Sequence, residues 1–367
     1  MADPVRVGVV GVGWGAVAHA PAFGAVDDYQ LVAMCGRDPE RLARAATAAG
    51  VDDASTDWRS FVRRDDLDLI SVATPVAAHH EIGLAAIEAG KAVLIEKPLA
   101  LNPGQAEDLV SAARRNGTIA ATCFENRWTP DRYAVWQAIR DGYLGDPYVI
   151  RVQQTGGYWH PSRRPQSPWM YRVAEGGGYL AGMISHDLDF VCTLLGDPVQ
   201  VCAEVHTTVT RRPAPGGGQI EVDADDTSTV MLRWASGAVG TLTSTVVALF
   251  ATEYSYEAFG SEGSLQGVTT SDGVRVLGGR LRDDRLRELP VSGREVRSGR
   301  PLPQRKATPQ IKAMALMLED WAPAFSGTTT LVPSFSDGLR VERIILAARQ
   351  SSAGAGWVDL GLEGTHR

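Results

Sequence analysis

The chain has 367 residues, 44% of them apolar and 22% charged, with a formal net charge of −7. That length suggests two domains with sizeable cores, and the acidic balance excludes partners that demand a basic face, namely nucleic acid and anionic membrane surfaces. No apolar run approaches the roughly 20 residues of a membrane span, and a strand pattern starts directly after Met1-Ala2-Asp3-Pro4, so the expectation is a cytoplasmic protein without a targeting segment.

In chain order, Val5–Val10, Leu31–Cys35, Leu69–Ala73 and Ala92–Ile95 are short runs of Val, Ile and Leu, the texture of parallel strands buried on both faces. Between them Pro39–Ala49 and His80–Ala89 read as helices, the second closed by Gly90 where a left-handed cap is needed. A helix over Pro103–Arg115 leads to a fifth strand near Ile119–Cys123. The alternation predicts an α/β fold whose first domain, residues 1–124, is a Rossmann-type doubly wound parallel sheet.

Beyond a helix at Asp131–Asp141 the texture changes. Val149–Gln154, Val199–His206, Thr227–Trp234, Val239–Val247, Tyr254–Phe259 and Val274–Leu277 read as β segments separated by Gly and Asp turns. They predict a large, mostly antiparallel open sheet in a second α/β domain, residues 125–367. Arg211–Gly218, with Pro213, Pro215 and three glycines, reads as a surface loop. Helices return at Gln310–Ala324 and Ser336–Gln350, and no repeat at a solenoid period is visible.

Cys35, Cys123, Cys192 and Cys202 form no CxxC pair, so neither a disulfide framework nor a metal site is indicated. The only lysines are Lys91, Lys97, Lys306 and Lys312. In a chain so rich in Arg, a Lys draws notice where a titratable amine is needed, because Arg does not give up its proton. Lys97 stands in Glu96-Lys97-Pro98 at the end of an apolar strand, where open α/β sheets bind ligands.

Gly11-Val12-Gly13-Trp14-Gly15-Ala16 follows the first strand and precedes a helix. Gly11 permits the tight turn, Gly13 lets the backbone approach a pyrophosphate, and Ala16 stands where a third small residue allows close helix–strand packing. The pyrophosphate would sit at the helix N-terminus. With Thr74-Pro75 and Lys97 on the same sheet edge, this order points to nicotinamide redox chemistry. At the end of the second strand, Cys35-Gly36-Arg37-Asp38 lacks the carboxylate that binds ribose hydroxyls; Gly36 makes room and Arg37 offers a guanidinium for a 2′-phosphate, which favours NADP over NAD. In the alternative, Arg37 is merely solvated and Asp38 serves NAD in a shifted register.

Gly11–Ala16 with His19, Thr74-Pro75 with His79, Glu96-Lys97-Pro98, Gly176-Gly177-Gly178, and His186 with Asp189 together resemble the glucose-fructose oxidoreductase, inositol dehydrogenase and rhizopine catabolism (Gfo/Idh/MocA) family. The likeness runs on to Asp337-Gly338-Leu339 and Ser351-Ser352. The resemblance implies a sugar or polyol site between a Rossmann domain and an open-sheet domain, and a homodimer or homotetramer formed through that sheet. It implies that Lys97 contacts substrate and nicotinamide ribose, with a cis peptide before Pro98, that Trp14 packs near the nicotinamide, and that His79 lies near the cofactor. The family often pairs its lysine with an aspartate and a histidine four residues apart.

Here the aspartate position is Gly182. Either His186 still acts alone as acid/base, steered by Asp189 on the same helix, or Lys97 carries the proton as a desolvated amine and His186 only binds a hydroxyl. Ile184, Leu188, Val191 and Leu195 mark a core face from which His186 points away. Glu125 and Arg127 follow the last Rossmann strand and reach the substrate or else form a domain-junction ion pair. Tyr158, Trp169 and Arg172 offer aromatic faces and a cation for a sugar, or else belong to a loop packed on the second domain. Between Arg275 and Lys306 ten basic residues accompany four acids, which read as solvated hairpins.

The resulting expectation is an NAD(P)-dependent oxidoreductase moving hydride between nicotinamide and a carbinol or ketone carbon of a sugar, sugar derivative or cyclitol. Two other classes stay open: an NAD(P)-dependent glycosidase-like enzyme using transient oxidation, and a non-catalytic regulator that senses NADP or sugar. Lys97 argues against the regulator, and Gly182 argues for it.

Overall fold

The structure, a computed structural model, describes residues 3–163, 166–214, 217–270, 273–291, 293–297, 302 and 308–361. It divides into two compact units, Met1–Thr129 with Arg294–Leu339 and Pro130–Gly293 with Arg340–Arg367. The chain thus runs through the first unit to Thr129 and later returns to it with Arg294–Leu339. The returning segment is held there by the edge strand: Thr122 N donates to the Pro333 carbonyl at 2.9 Å and Thr122 Oγ1 to the Ser334 carbonyl at 3.1 Å.

The first unit carries β1 (Val5–Val10), β2 (Tyr29–Cys35), β3 (Asp53–Ser55), β4 (Leu69–Val72), β5 (Ala92–Glu96) and β6 (Ala120–Cys123) in one parallel sheet of order β3-β2-β1-β4-β5-β6. The order reverses between β1 and β4, the point where such sheets bind ligands beyond their strand ends. Val9, Ile70, Val72, Val93 and Ile95 are fully buried, because helices cover both faces of the sheet. The α-helices that alternate with these strands are α1 (Ala20–Gly24), α2 (Pro39–Ala49), α3 (Trp58–Phe61), α4 (His79–Glu88) and α5 (Pro103–Asn116). The Asp38 side chain caps α2 by accepting from Glu40 N and Arg41 N, both at 3.0 Å, and Asn102 caps α5 through Gln105 N at 3.0 Å. β3 and α3 are too short to show a hydrophobic period, and neither is visible in the sequence.

The second unit contains α6 (Pro130–Arg140), α7 (Ser185–Leu195) and the strands β7 (Pro147–Gly156), β8 (Gln200–His206), β9 (Arg211–Pro213), β10 (Gln219–Glu221), β11 (Thr227–Arg233), β12 (Val239–Thr245), β13 (Thr252–Gly260), β14 (Gly263–Thr270), β15 (Gly273–Arg280), β16 (Arg287–Glu288) and β17 (Val358–Asp359). β9 and β10 form a separate hairpin; the other nine form a sheet ordered β16-β15-β14-β13-β7-β12-β11-β8-β17. Its pairs are antiparallel except β7 with β12, which run parallel. Alternation is plain on β11, where Ser228, Val230 and Leu232 face inward and Thr229, Met231 and Arg233 outward. β14 escapes the sequence reading because Gly267 interrupts its pattern; the Tyr256 ring lies over that glycine where a Cβ would stand. α8 (Thr308–Trp321) belongs to the first unit, and α9 (Phe335–Gln350) begins in the first and ends in the second.

The expected surface loop Arg211–Gly218 is corrected. Its first residues form β9, and Arg212 is buried, paired with Asp226 at 2.9 Å and lying over the Trp159 and Tyr171 rings at 5.9 and 5.2 Å. Residues 215–216 of that stretch, and Lys306 at the end of the basic stretch, lie outside the described residues. Within the basic stretch Arg275, Arg280 and Arg287 are exposed and meet Glu288, Glu262 and Asp284, as solvated hairpins do.

Candidate active site

The glycine turn has the shape that a phosphate cradle needs. Gly11 adopts φ +118°, and a Cβ there would run into the Ala73 carbonyl. A Cβ on Gly13 would meet nothing within 4 Å, so the turn is open on that side. Close packing falls on Gly15, whose Cβ would stand 2.9 Å from Val9 Cγ1, rather than on half-exposed Ala16. A helical run follows, a π-helical turn over Gly15–His19 continuing into α1, and Trp14 at its start, half-buried, gives no side-chain cap. With no side-chain cap, this helix start is of the kind that suits an anion, although Val17 N already donates to the Gly13 carbonyl at 3.2 Å. Beside the turn, the buried Thr74 Oγ1 makes no hydrogen bond among the described residues. An open cradle and an orphaned hydroxyl at the same strand ends fit a dinucleotide. At the end of β2, Gly36 packs on Val12, Arg37 is exposed, and the Asp38 carboxylate is engaged in capping α2.

Lys97 directly follows β5, and the Lys97–Pro98 peptide is cis, as the resemblance implied. Buried His79 braces this turn against Pro75's strand end: its Nδ1 and Nε2 lie 2.9 Å from the Pro98 and Thr74 carbonyl oxygens. Only a charged ring donates to both, but burial lowers the His79 pKa and favours the neutral ring, which keeps one bond. Glu96 is buried as well. Its Oε2 accepts from Lys97 N at 3.1 Å and its Oε1 stands 2.8 Å from His19 Nε2, while His19 Nδ1 is 2.8 Å from Ser71 Oγ. Burial, the largest single effect, opposes the Glu96 charge, but the His19 bond together with the nearby charges of His19 and Lys97 outweighs it, and the carboxyl titrates below its ordinary range. Donor atoms of His19, Glu96 and Cys123 lie within 4.8 Å of one another, and both His19 nitrogens are spent on Ser71 and Glu96, so the trio works as a hydrogen-bond network.

Glu125, expected at the substrate, is buried, with Oε2 3.7 Å from Cys123 Sγ. Burial and the Glu96 charge push its pKa up to about 8. Arg127 pairs with Asp337 at 3.3 Å, and both residues belong to the first unit.

In the second unit, α7 is buried on every side from Ser185 to Cys192. His186, expected to point away from a core face, is therefore itself buried, at 3% exposure. Its carbonyl accepts from buried Arg132 at 3.2 Å, and Arg132 also pairs with Asp187 at 2.6 Å, which the Tyr254 hydroxyl joins at 3.1 Å. Burial pushes the Asp187 carboxyl up, against the pull of Arg132. This brace fixes the backbone of His186, and sequence reasoning missed it because Arg132 and Asp187 are distant in the chain. Asp189 carries an ion pair with Arg340 at 3.6 Å. A Cβ on Gly182 would meet nothing within 4 Å, so the turn before α7 has room where the family's aspartate stands.

Of the aromatic and cationic candidates, Tyr158 is 61% exposed, Trp169 half-buried, and Arg172 exposed at 3.7 Å from Glu175. The rings that cluster are Trp159 with Tyr171 and Tyr179, at 5.4 and 5.8 Å. No helix among the described residues is long and apolar enough to cross a membrane.

A doubly wound sheet with an open phosphate cradle and a lysine at the neighbouring strand end defines a dinucleotide-dependent oxidoreductase. Residues 5–124 match the oxidoreductase family with NAD-binding Rossmann fold, and residues 133–266 match the Gfo/Idh/MocA C-terminal domain. The chain belongs to the Gfo/Idh/MocA family of oxidoreductases. It is 29% identical to levoglucosan dehydrogenase of Pseudarthrobacter phenanthrenivorans, over 97% of this chain and 98% of that protein. Myo-inositol 2-dehydrogenase of Thermotoga maritima is 26% identical over 81% of this chain and 90% of its own length. A levoglucosan dehydrogenase solved in complex with NADH and L-sorbose superposes with a TM-score of 0.86 at 26% identity, covering 98% of this chain and 100% of that one.

Proposed function

We propose that the protein transfers hydride between nicotinamide and a carbinol or ketone carbon of a sugar, sugar derivative or cyclitol. The observation that carries this reading is Lys97, set at the C-terminal end of β5 by the bond from its own N–H to Glu96 and by the His79 brace. Relatives named for levoglucosan and inositol support the substrate class. When bound, the dinucleotide supplies the hydride acceptor or donor. Gly11–Ala16, with Thr74 and Pro75, hold it; Lys97 hydrogen-bonds the reacting oxygen and stabilises developing alkoxide charge, and His186 exchanges its proton. Arg37 reads a 2′-phosphate, so NADP is preferred to NAD; Asp38, occupied as a helix cap, is no substitute for a ribose-binding carboxylate. The protein acts as a homodimer or homotetramer.

The deciding experiment incubates the purified chain with NAD and NADP against a panel including levoglucosan, myo-inositol and L-sorbose, following nicotinamide absorbance. Reduction with at least one polyol, or oxidation of the reduced cofactor with a ketose, is the expected result. Glycoside cleavage without net cofactor change, or binding without any turnover, would overturn it.

A further inference from the structure

A chain of buried polar groups runs beneath the ends of β4, β5 and β6. Ser71 Oγ meets His19 Nδ1 at 2.8 Å, His19 Nε2 meets Glu96 Oε1 at 2.8 Å, and Cys123 Sγ lies within 4.8 Å of the Glu96 oxygen and 3.7 Å from Glu125 Oε2. Two carboxyl groups thus flank one thiol, with Lys97 bonded through its backbone to the first of them. Both carboxyls are largely shielded from water: Glu96 and Glu125 are 6% and 3% exposed. Like charges so placed oppose each other's ionisation, and one member of such a pair retains its proton. The hydrogen bond from His19 assigns the charge to Glu96, which leaves the proton to Glu125.

We infer that Glu125 is a positioning residue for Lys97: its carboxyl ends this buried chain, and whether it keeps or gives up its proton decides whether one carboxylate or two stand in the chain that Lys97 joins through its backbone. The inference rests on the reading of Lys97 as the group that binds the reacting oxygen. Glu125 feels the charges of Glu96, at the end of β5, and of Lys97, which follows that strand, and it meets Cys123 of β6; His19 and His79 act on it through Glu96, and Arg127 in the same turn is paired with Asp337. The Cys123 thiol, raised far above its ordinary range by burial and the two carboxyls, stays protonated and offers no competing step. The pair's own transition falls near pH 8, within reach of an assay.

With only four lysines in the chain, the side-chain signals of lysine labelled with 13C at Cε are few enough to follow, and Lys97→Arg assigns the one from Lys97. In the full-length wild type that signal moves with an inflection near pH 8. Glu125→Gln removes the inflection, and Glu125→Asp restores one at a shifted position. This readout needs no substrate, so it holds even if the proposed hydride transfer fails. In parallel, the pH profile of kcat/KM on whichever panel compound turns over shows a limb near pH 8 that Glu125→Gln lacks. An identical Lys97 titration in wild type and Glu125→Gln, or a Glu125 carboxyl shown by infrared difference spectroscopy to be ionised at pH 6, overturns the inference. A Glu125→Gln variant that merely lowers kcat equally at every pH does so too, because that is what a structural role would produce.

Discussion

At the scale of single residues, Lys97 and His186 are the groups proposed to carry the chemistry. On that proposal, replacing the amine removes the donor that would stabilise alkoxide charge but leaves the cradle at Gly11–Ala16 intact. Lys97→Ala is therefore expected to slow turnover by ~10²–10⁴ while cofactor affinity, read by quenching of protein fluorescence, stays within a few-fold; near-normal turnover would sink the assignment. For His186 the question is one of role. As acid/base, His186→Asn lowers kcat by ~10²–10⁴ and flattens the pH limb it governs. As a hydroxyl ligand only, the same change raises KM and leaves kcat and the pH limb as they were. The Arg132–Asp187–Tyr254 brace holds the histidine's backbone in either case, so the variant tests the ring and not its support.

At the scale of elements, the end of β2 and the start of α2 place two neighbouring residues in different jobs. Arg37 is exposed at the strand end, whereas Asp38 caps the helix. Arg37→Ala is expected to weaken NADP by about 1.5–3 kcal/mol, the value of a hydrogen bond to a charged group, and to leave NAD nearly unchanged. Asp38→Ala should instead cost about 1 kcal/mol of stability through the lost cap, with the NADP-to-NAD ratio of Kd values unaltered. Titration calorimetry with both cofactors on both variants checks the pair. Equal losses for NAD and NADP in Arg37→Ala reject the 2′-phosphate reading.

Across the whole molecule, the buried Glu125 ties stability to pH. Its folded pKa, about 8, lies above the ordinary carboxyl value near 4.5, so between these values the folded chain binds a proton that the unfolded chain has lost. Stability from this group is full below about pH 4.5 and declines as pH rises through about 8, by an amount on the order of a few kcal/mol. Glu125→Gln has no such proton to lose. Denaturant midpoints of wild type and Glu125→Gln are therefore expected to diverge in favour of the variant from pH 5 to pH 8. Parallel midpoints across that range would show that Glu125 titrates normally.

The sequence by itself determined the elements whose cause is local. Strand texture, the Gly11 turn, the order Thr74-Pro75 then Glu96-Lys97-Pro98, and the helix caps depend on neighbours within a few residues, and so the parallel sheet and its phosphate cradle were readable. Tertiary structure alone decided what depends on partners distant in the chain. Glu125 became a buried acid because folding set it beside Cys123 and Glu96 and away from water; Arg127 met Asp337 because the chain returns to the first unit after Gly293. Arg212, in a stretch that reads as a loop, is buried because Asp226 and two aromatic rings close around its charge. Burial and pairing of charges are set by packing over long sequence distances, and no local period records them.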